Sequence, residues 1–279
     1  MFSAFGDLRF HPLQTRLRAR LGDEQVLDST AGMVIWEPKR VVPVYAAPID
    51  DLTATLEQTA APSDGPATTA AIGDGPPVLT PAVPFQHHST PGTPFDVRTS
   101  GGSTAPGAAF RPDDPDLAHL VFLDFNAFRW WEEETESVGH PRDPFHRIDV
   151  LPTSRHVRVS LDGTELADTT RAQVLHETGL PARWYIPRED VHVDAVQPVL
   201  GLKTTCPYKG TTSGYWSTGD EEAVAWTYAE TLPEVAPIAG HIAFFNERVE
   251  IEVDGVVQER GPETQWSSTR WIERARAAA

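Results

Sequence analysis

The stretch His156-Val-Arg-Val-Ser-Leu-Asp-Gly-Thr-Glu-Leu-Ala-Asp-Thr169 decides the fold class of this chain of 279 residues. Polar and apolar residues alternate from His156 to Leu161, which is the period of a half-buried strand. Asp162-Gly163 follows directly and is a strong tight-turn signal. The stretch therefore predicts a β-strand that ends in a sharp turn.

Further short strand candidates follow at close spacing along the chain. In the second half they are Gln173–Glu177, Arg183–Ile186, Lys203–Cys206, Tyr215–Ser217, Val224–Tyr228, Ile242–Phe245, Val249–Val253 and Val256–Gln258; weaker ones in the first half are Leu17–Leu21, Met33–Trp36, Val41–Tyr45 and Leu120–Phe125. One short helical turn is predicted at Pro187–Val191, where Pro comes first and acidic residues follow. Many short strands with few helical patterns predict a mainly β protein.

The two halves of the chain resemble each other. Residues 16–45 align with 156–185 without gaps, and the identical pairs are Arg18/Arg158, Leu21/Leu161, Asp28/Asp168, Thr30/Thr170, Val34/Val174, Glu37/Glu177 and Tyr45/Tyr185. After a slip of one residue, Pro48 and Asp51 match Pro187 and Asp190; later on, His119 and Phe122 match His241 and Phe244. The similarity predicts two tandem small β-rich modules packed together, over residues 1–138 and 139–260, with a tail over 261–279. The bulky pair Trp130-Trp131 is expected at the interface between them, with the carboxylates of Glu132-Glu133-Glu134 facing water.

A low-complexity segment over residues 60–112 interrupts the first module. It consists largely of Pro, Ala, Gly, Ser and Thr, and such a composition buries too little surface to offset its ordering entropy. We expect a surface insertion or linker there. The pair His87-His88 within it is expected to be solvated, because no further metal ligands lie nearby.

The second half carries a set of motifs that resembles a known family. The motifs are His140–His146, Arg155–Val159, Leu166–Thr169, Trp184–Val191, Cys206-Pro-Tyr-Lys-Gly210, Gly214–Trp216, Ala225-Trp226, Tyr228 and His241–Phe244. In this order they resemble the DUF427 family, which also carries a nucleotidyltransferase label and has no established reaction. The resemblance covers about residues 140–260, with residues 13–138 as a diverged copy.

The resemblance implies a small β-rich fold, similar to the β-tent of Mss4-like and methionine sulfoxide reductase B-like proteins. Those relatives often hold zinc with four cysteines. Because this chain has the single cysteine Cys206, we expect neither that metal site nor a cofactor. The nucleotidyltransferase label predicts a Gly-Ser followed by an Asp-x-Asp pair. Gly102-Ser103 and Asp114-Pro115-Asp116 have this spacing, but Pro115 cannot donate within a central strand, so we expect no metal site there.

The Cys206–Gly210 motif supplies the candidate functional residues. A lysine close to a cysteine favours the reactive thiolate, so Cys206 and Lys209 are the candidate catalytic residues. The candidate ligand-binding residues are Tyr185, Arg188, Asp190, Tyr208, Tyr215, Trp216 and Trp226. The cations imply a ligand with an anionic or polar group, and the aromatic rings imply a flat or apolar part. In the alternative reading the thiol and the rings only pack in the core. Lys209 is selected either for its compact ammonium or for its nucleophilicity.

Residues present in both halves are expected to be structural. These include Asp28 with Asp168, Glu37 with Glu177, and His119 with His241. No counterpart of the Cys206–Gly210 motif is expected in the first half, because the chain has no second cysteine. His140 and His146 are close enough in sequence to pair, but a third metal ligand is missing.

Charge and composition limit the function classes. The net charge of −17 argues against binding to nucleic acids or to anionic membranes. Residues 1–13 lack the basic and apolar regions of a secretory signal, and a single thiol fits a reducing compartment. We therefore expect a cytoplasmic protein that binds a small molecule in its second half, with or without catalysis. The alternative is a structural or protein-interaction scaffold, and the oligomeric state stays open.

Overall fold

A computed structural model describes residues 5–59, 69–70, 77–79, 83–261, 267 and 272. The chain divides into two compact units, Met1–Pro144 and Phe145–Ala279. Each unit contains one seven-stranded and one four-stranded antiparallel sheet, and the helical segments between their strands are short 3-10 turns. The prediction of a mainly β fold is therefore confirmed.

The first unit contains thirteen described strands. Their bounds are β1 Arg9–Pro12, β2 Leu17–Leu21, β3 Glu24–Ser29, β4 Met33–Trp36, β5 Val44–Pro48, β6 Thr55–Gln58, β7 Thr69–Ala70, β8 Val78–Leu79, β9 Gly92–Arg98, β10 Thr104–Pro112, β11 Leu120–Leu123, β12 Arg129–Glu132 and β13 Thr135–Ser137. Two 3-10 turns lie at Ile49–Asp51 and Phe125–Ala127.

The second unit also contains thirteen described strands. Their bounds are β14 Ile148–Pro152, β15 Val157–Leu161, β16 Thr164–Thr169, β17 Gln173–Glu177, β18 Arg183–Ile186, β19 Gln197–Val199, β20 Thr205–Cys206, β21 Gly210–Thr211, β22 Gly214–Thr218, β23 Glu221–Thr227, β24 Ile242–Phe244, β25 Glu250–Val253 and β26 Val256–Val257. The 3-10 turns are Arg188–Asp190, Val193–Ala195 and Pro233–Ile238.

The two units have the same strand order in both of their large sheets. In the first unit the orders are β1-β4-β5-β11-β10-β9-β6 and β3-β2-β12-β13. In the second unit they are β14-β17-β18-β24-β23-β22-β19 and β16-β15-β25-β26. Each strand of these sheets in the first unit therefore has a counterpart at the same place in the second.

Each seven-stranded sheet has an inner face, which packs against the four-stranded sheet of its own unit, and an outer face. Side chains alternate between the faces along a strand. In β18, Trp184 points into the inner core with Val157 and Ile251, whereas Tyr185 belongs to the outer cluster with Trp226 and Phe245. The outer face of the second unit is covered by residues of the loop before β22 and of the 3-10 turn Pro233–Ile238.

The low-complexity segment is not a surface insertion over residues 92–112. It forms β9 and β10, which lie in the seven-stranded sheet between β11 and β6. Ala105, Ala108 and Ala109 are buried in the inner core. Gly92 is required because a Cβ there would lie 2.3 Å from the Phe110 ring. Composition alone misses this region because small side chains bury little surface each but allow close packing of the backbone.

The strand registers correct three of the aligned pairs, Tyr45/Tyr185, Phe122/Phe244 and, by the same register as the second, His119/His241. Val34 lies opposite Tyr45 in the first unit, and its counterpart Val174 lies opposite Trp184 in the second. The one-residue slip therefore precedes Tyr45, and the counterpart of Tyr185 is Ala46. In the same way, Ala46 pairs with Phe122 and Tyr185 pairs with Ala243. Phe122 therefore corresponds to Ala243 and not to Phe244.

Trp130 lies in the core of the first unit. It is 1% exposed, its ring centroid lies 4.8 Å from that of Tyr45, and its indole N–H donates to the Phe125 carbonyl. The neighbouring Glu132 accepts a 2.6 Å hydrogen bond from the Tyr45 hydroxyl. The expectation of an interface position for Trp130, and of Glu132 facing water, is wrong because both residues complete the packing around Tyr45.

Among the described residues, no helix is long and apolar enough to cross a membrane.

Candidate functional site

A row of side chains crosses the outer face of the second seven-stranded sheet. The strand registers place them directly beside one another in the order Gln173, Tyr185, Ala243, Trp226 and Tyr215. The small Ala243 separates two large rings, so that Tyr185 and Trp226 stand edge to face with centroids 6.2 Å apart. The row therefore forms an aromatic floor that carries polar groups along it.

The hairpin that contains the Cys206 motif lies over this floor. β20 and β21 pair Cys206 with Gly210, and the Lys209 amide donates to the Cys206 carbonyl at 3.3 Å. Gly210 has φ of +101°, a conformation that L side chains rarely adopt. The hairpin is fixed to the floor by the Thr204 hydroxyl, which lies 2.7 Å from the Tyr215 hydroxyl. The tight turn thus places Cys206 and Lys209 together.

Lys209 forms a buried ion pair with Glu177. Its Nζ donates to Glu177 Oε2 at 2.5 Å, and the two side chains are 10% and 7% exposed. Burial alone would lower the pKa of Lys209, but the ionisable groups of Cys206 and Glu177 raise it above its ordinary value. Lys209 is therefore an ammonium at neutral pH.

Glu177 is the centre of this array. Burial alone would raise its pKa, but hydrogen bonds from His146 and Lys209 and the Lys209 charge lower the pKa of Glu177 to about 2. His146 Nε2 lies 3.0 Å from Glu177 Oε1, and the His146 ring stacks on Tyr208 at a centroid distance of 4.2 Å. Sequence reasoning assigned Glu177 to the framework and left His146 without a role. His146 and Lys209 lie 31 and 32 residues from Glu177 along the chain, so no local sequence pattern predicts these contacts.

Two buried polar atoms on the floor have no hydrogen-bond partner among the described residues. They are the Tyr185 hydroxyl and Gln173 Oε1, which belong to neighbouring positions of the row. Tyr185 is completely buried, and this burial raises its pKa above the ordinary value although Lys209 opposes the effect. The Tyr185 hydroxyl is therefore protonated at neutral pH, and its proton has no acceptor among the described residues.

The remaining phenols complete the surroundings of Cys206. Burial raises the pKa of Tyr215 to about 12, although its bond to Thr204 opposes the shift. Burial also raises the pKa of Tyr228, which interacts electrostatically with Tyr185 and Cys206. Tyr215 and Tyr228 are therefore protonated phenols at neutral pH. Cys206 is half-buried and has no disulfide partner.

Three of the sequence-predicted site residues lie elsewhere. The carboxylate of Asp190 accepts from the Thr169 hydroxyl at 2.7 Å and also binds Arg171. Arg188 lies over the ring of Trp216 at 5.7 Å, and Trp216 packs against the inner core. The structure therefore brings together Cys206, Lys209, Tyr185, Tyr208, Tyr215 and Trp226 on the outer side, but not Arg188, Asp190 and Trp216 with them.

Asp190 has the same contact as its counterpart in the first unit. Asp51 accepts a 2.6 Å hydrogen bond from Ser29, just as Asp190 accepts one from Thr169. Both acids end a short 3-10 turn that follows a proline. Asp190 therefore ties this turn to the four-stranded sheet.

In the first unit, the segment before β9 contacts the buried Glu37, although it lacks the Cys206–Gly210 motif. Residues 83–91 precede β9 as residues 205–213 precede β22, and Val83-Pro84-Phe85 is similar in sequence to Cys206-Pro207-Tyr208. His88 of this segment is 8% exposed, and its Nδ1 lies 3.0 Å from Glu37 Oε2. His88 thus occupies the role of Lys209, and the prediction that it is solvated is wrong because its ring stacks on Phe110 at 3.6 Å.

The carboxylate of Glu37 is fully used within the first unit. It also accepts from the amides of Ser89 and Thr90 at 3.0 and 3.2 Å. The nearby Arg40 donates to the carbonyls of Val83 and Pro84. The chain itself therefore fills this face of the first unit. Among the described residues of both units, no group of three or more His, Cys, Asp or Glu could hold a metal ion.

Comparison with known proteins finds a family match within the second unit. No curated protein matches it. Residues 149–255 match the family described as "Domain of unknown function (DUF427)". The match includes the floor, the Cys206 hairpin and Glu177, and it begins just after His146. The second unit of this chain is a DUF427 domain.

Proposed function

We propose that the second unit binds a small polar molecule on the outer face of its seven-stranded sheet, beside Lys209, Tyr185 and Cys206. The observation that carries the proposal is a set of buried donors without acceptors. The Lys209 ammonium has three N–H groups, of which one has an acceptor among the described residues. The Tyr185 hydroxyl has none there.

Such groups are costly to leave unsatisfied. An unmade hydrogen bond at a buried polar group costs about 1–3 kcal/mol, and more when the group is charged. A ligand oxygen close to Lys209 and Tyr185 would satisfy both donors at once. Ligand sites commonly combine a few such groups with an apolar lining, which Trp226 and Tyr215 supply here.

The charge balance favours an uncharged polar group over a strongly anionic one. Glu177 neutralises Lys209 within the array, and Arg188 is stacked elsewhere on Trp216. A second negative charge would therefore be brought next to the carboxylate of Glu177. The flat or apolar part of the ligand would lie on the aromatic floor.

The alternative is a structural or protein-interaction module without a ligand. The first unit favours it, because His88 and Glu37 use the same arrangement only to hold a segment of the chain in place. On this reading Lys209 anchors the Cys206 hairpin and nothing more. The alternative leaves the buried hydroxyl of Tyr185 without an explanation.

A thermal-shift screen with a metabolite library, run on the full chain, separates these two functions. A ligand that binds only the folded state raises the melting temperature. We expect hits that shift the parent and Lys203→Met alike but lose their effect in Lys209→Met. Lys203 is the matched control because it is an exposed lysine of the same loop. Hits that raise the melting temperature of all three proteins equally would show that the ligand does not bind on this face. A screen without hits would favour the structural or protein-interaction module.

We also infer that the two units are copies of one module and that the protein works in the cytoplasm. Their common strand order supports the first inference. The single unpaired thiol supports the second, since thiols persist in a reducing compartment.

A further inference from the structure

We propose that the ligand of this site is a carbonyl compound and that the Cys206 thiol adds to its carbonyl carbon, with Lys209 and Tyr185 donating to the oxygen. The proposal rests on the proposed function and names its substrate class and chemistry. In this proposal the Cys206 thiol is the nucleophile, and Lys209 and Tyr185 are the hydrogen-bond donors.

Cys206 is the nucleophile because the other candidate nucleophile, Lys209, is protonated. An amine attacks a carbonyl only when it is unprotonated, and the ion pair with Glu177 keeps Lys209 protonated. Cys206 is half-buried and carries no disulfide. It is also the only thiol in the chain.

The position of the ligand's carbonyl oxygen follows from the N–H and O–H groups of Lys209 and Tyr185 that have no acceptor. Negative charge develops on a carbonyl oxygen as the carbon is attacked, and preorganised donors in a site that excludes water stabilise it. Lys209 Nζ retains two N–H groups beyond its bond to Glu177, and the Tyr185 hydroxyl retains its proton. One tight turn carries the thiol and the ammonium, since the Lys209 amide donates to the Cys206 carbonyl at 3.3 Å, and the Thr204 hydroxyl ties this hairpin to the floor that contains Tyr185.

The step needs no further reactant. The Sγ–C bond forms as the π pair of the C=O bond moves to the oxygen, and the oxygen takes up a proton in exchange for the one that the thiol releases. Nothing is oxidised or reduced. The product is a reversible hemithioacetal when the carbonyl compound is an aldehyde.

The single cysteine makes the test direct. Alkylation of the full chain by iodoacetamide, followed by the mass of the intact protein, reports Cys206 alone. Butanal is added as the carbonyl probe, and butanol serves as the matched compound without a carbonyl. The chain unfolded in urea gives the protection that an ordinary thiol obtains from the same aldehyde.

We expect butanal to protect the folded parent at concentrations about tenfold or more below those that protect the unfolded chain, since one charge-assisted hydrogen bond is sufficient for such a factor. Lys209→Met and Tyr185→Phe should each lose most of this advantage, whereas Lys203→Met should keep it. Equal protection of folded and unfolded chains, or equal protection by butanol, would overturn the proposal.

A second arm keeps this inference apart from the proposed function. A hit from the thermal-shift screen is tested on Cys206→Ser. If the hit binds this variant as it binds the parent and butanal gives no protection, the face binds ligands without thiol chemistry, and only the carbonyl proposal fails. Loss of the hit in Cys206→Ser, together with butanal protection, supports both.

Discussion

Replacing Glu177 by Gln tests the array on which the site depends. The side chain keeps its shape but loses the charge that balances the buried Lys209 ammonium. Since the pKa of Glu177 is lowered from 4.5 to about 2, its ionised form contributes about 3 kcal/mol to stability at neutral pH. Removing one partner of a buried ion pair typically costs a similar amount, about 3–5 kcal/mol.

The loss is measured by urea unfolding of the full chain, with pulsed hydrogen exchange and mass spectrometry of peptides from residues 145–261. With a urea dependence of about 2 kcal/mol per M, a loss of 3 kcal/mol lowers the midpoint of the second unit by about 1.5 M. Glu165→Gln is the control, because Glu165 forms an exposed pair with Arg158 at 2.7 Å and such pairs contribute at most about 1 kcal/mol. A Glu177→Gln midpoint equal to that of the control would refute the reasoning.

The same array predicts the direction of the acid response. A carboxyl whose folded-state pKa is depressed stabilises the fold above its unfolded-state pKa and loses that effect as the pH falls through the folded value. The contribution of Glu177 should therefore be complete above about pH 4.5 and disappear towards about pH 2. The parent should lose more stability over this window than Glu177→Gln. Parallel acid curves for the two proteins would contradict the assignment.

Four further substitutions separate structural from functional groups. Tyr185→Phe removes a buried hydroxyl that lacks a partner, so stability should stay within about 1 kcal/mol of the parent in urea unfolding; a larger loss would show that the hydroxyl is satisfied in the fold. Asp190→Asn and Asp51→Asn should each cost about 1 kcal/mol and leave the affinity for any screened ligand unchanged in calorimetric titration, whereas a weakened affinity in Asp190→Asn would return this residue to the site. Arg183→Met leaves the buried Glu247 carboxylate without its 2.7 Å partner, so unfolding should become easier by about 3–5 kcal/mol, and a loss below 1 kcal/mol would contradict the pairing.

Local signals in the sequence predict many strands of the second unit. Gln173–Glu177 and Arg183–Ile186 are expected with the bounds that the structure shows. β9 and β10 escape prediction because Ala and Gly give no alternation of large apolar residues. They are recognised only through what packs on them, such as the Phe110 ring against Gly92.

The candidate site is predicted only in its local part. Cys206 and Lys209 are found from sequence because one tight turn contains both. Their partner Glu177 is missed because its match with Glu37 in the first half argues for a framework role. In the structure, Glu177 binds Lys209 and Glu37 lies beside His88. Arg188 and Asp190 are grouped with the site because nothing in the sequence shows which side of a sheet a following turn reaches.

The central claim is that a ligand binds on the outer face of the second unit, beside Lys209 and Tyr185. A crystal structure of the full chain with the best hit of the thermal-shift screen tests it most directly. We expect a ligand oxygen within hydrogen-bond distance of both Lys209 Nζ and the Tyr185 hydroxyl, with the Lys209–Glu177 pair intact. A ligand bound at any other place, with the Tyr185 hydroxyl still without a partner, would contradict it.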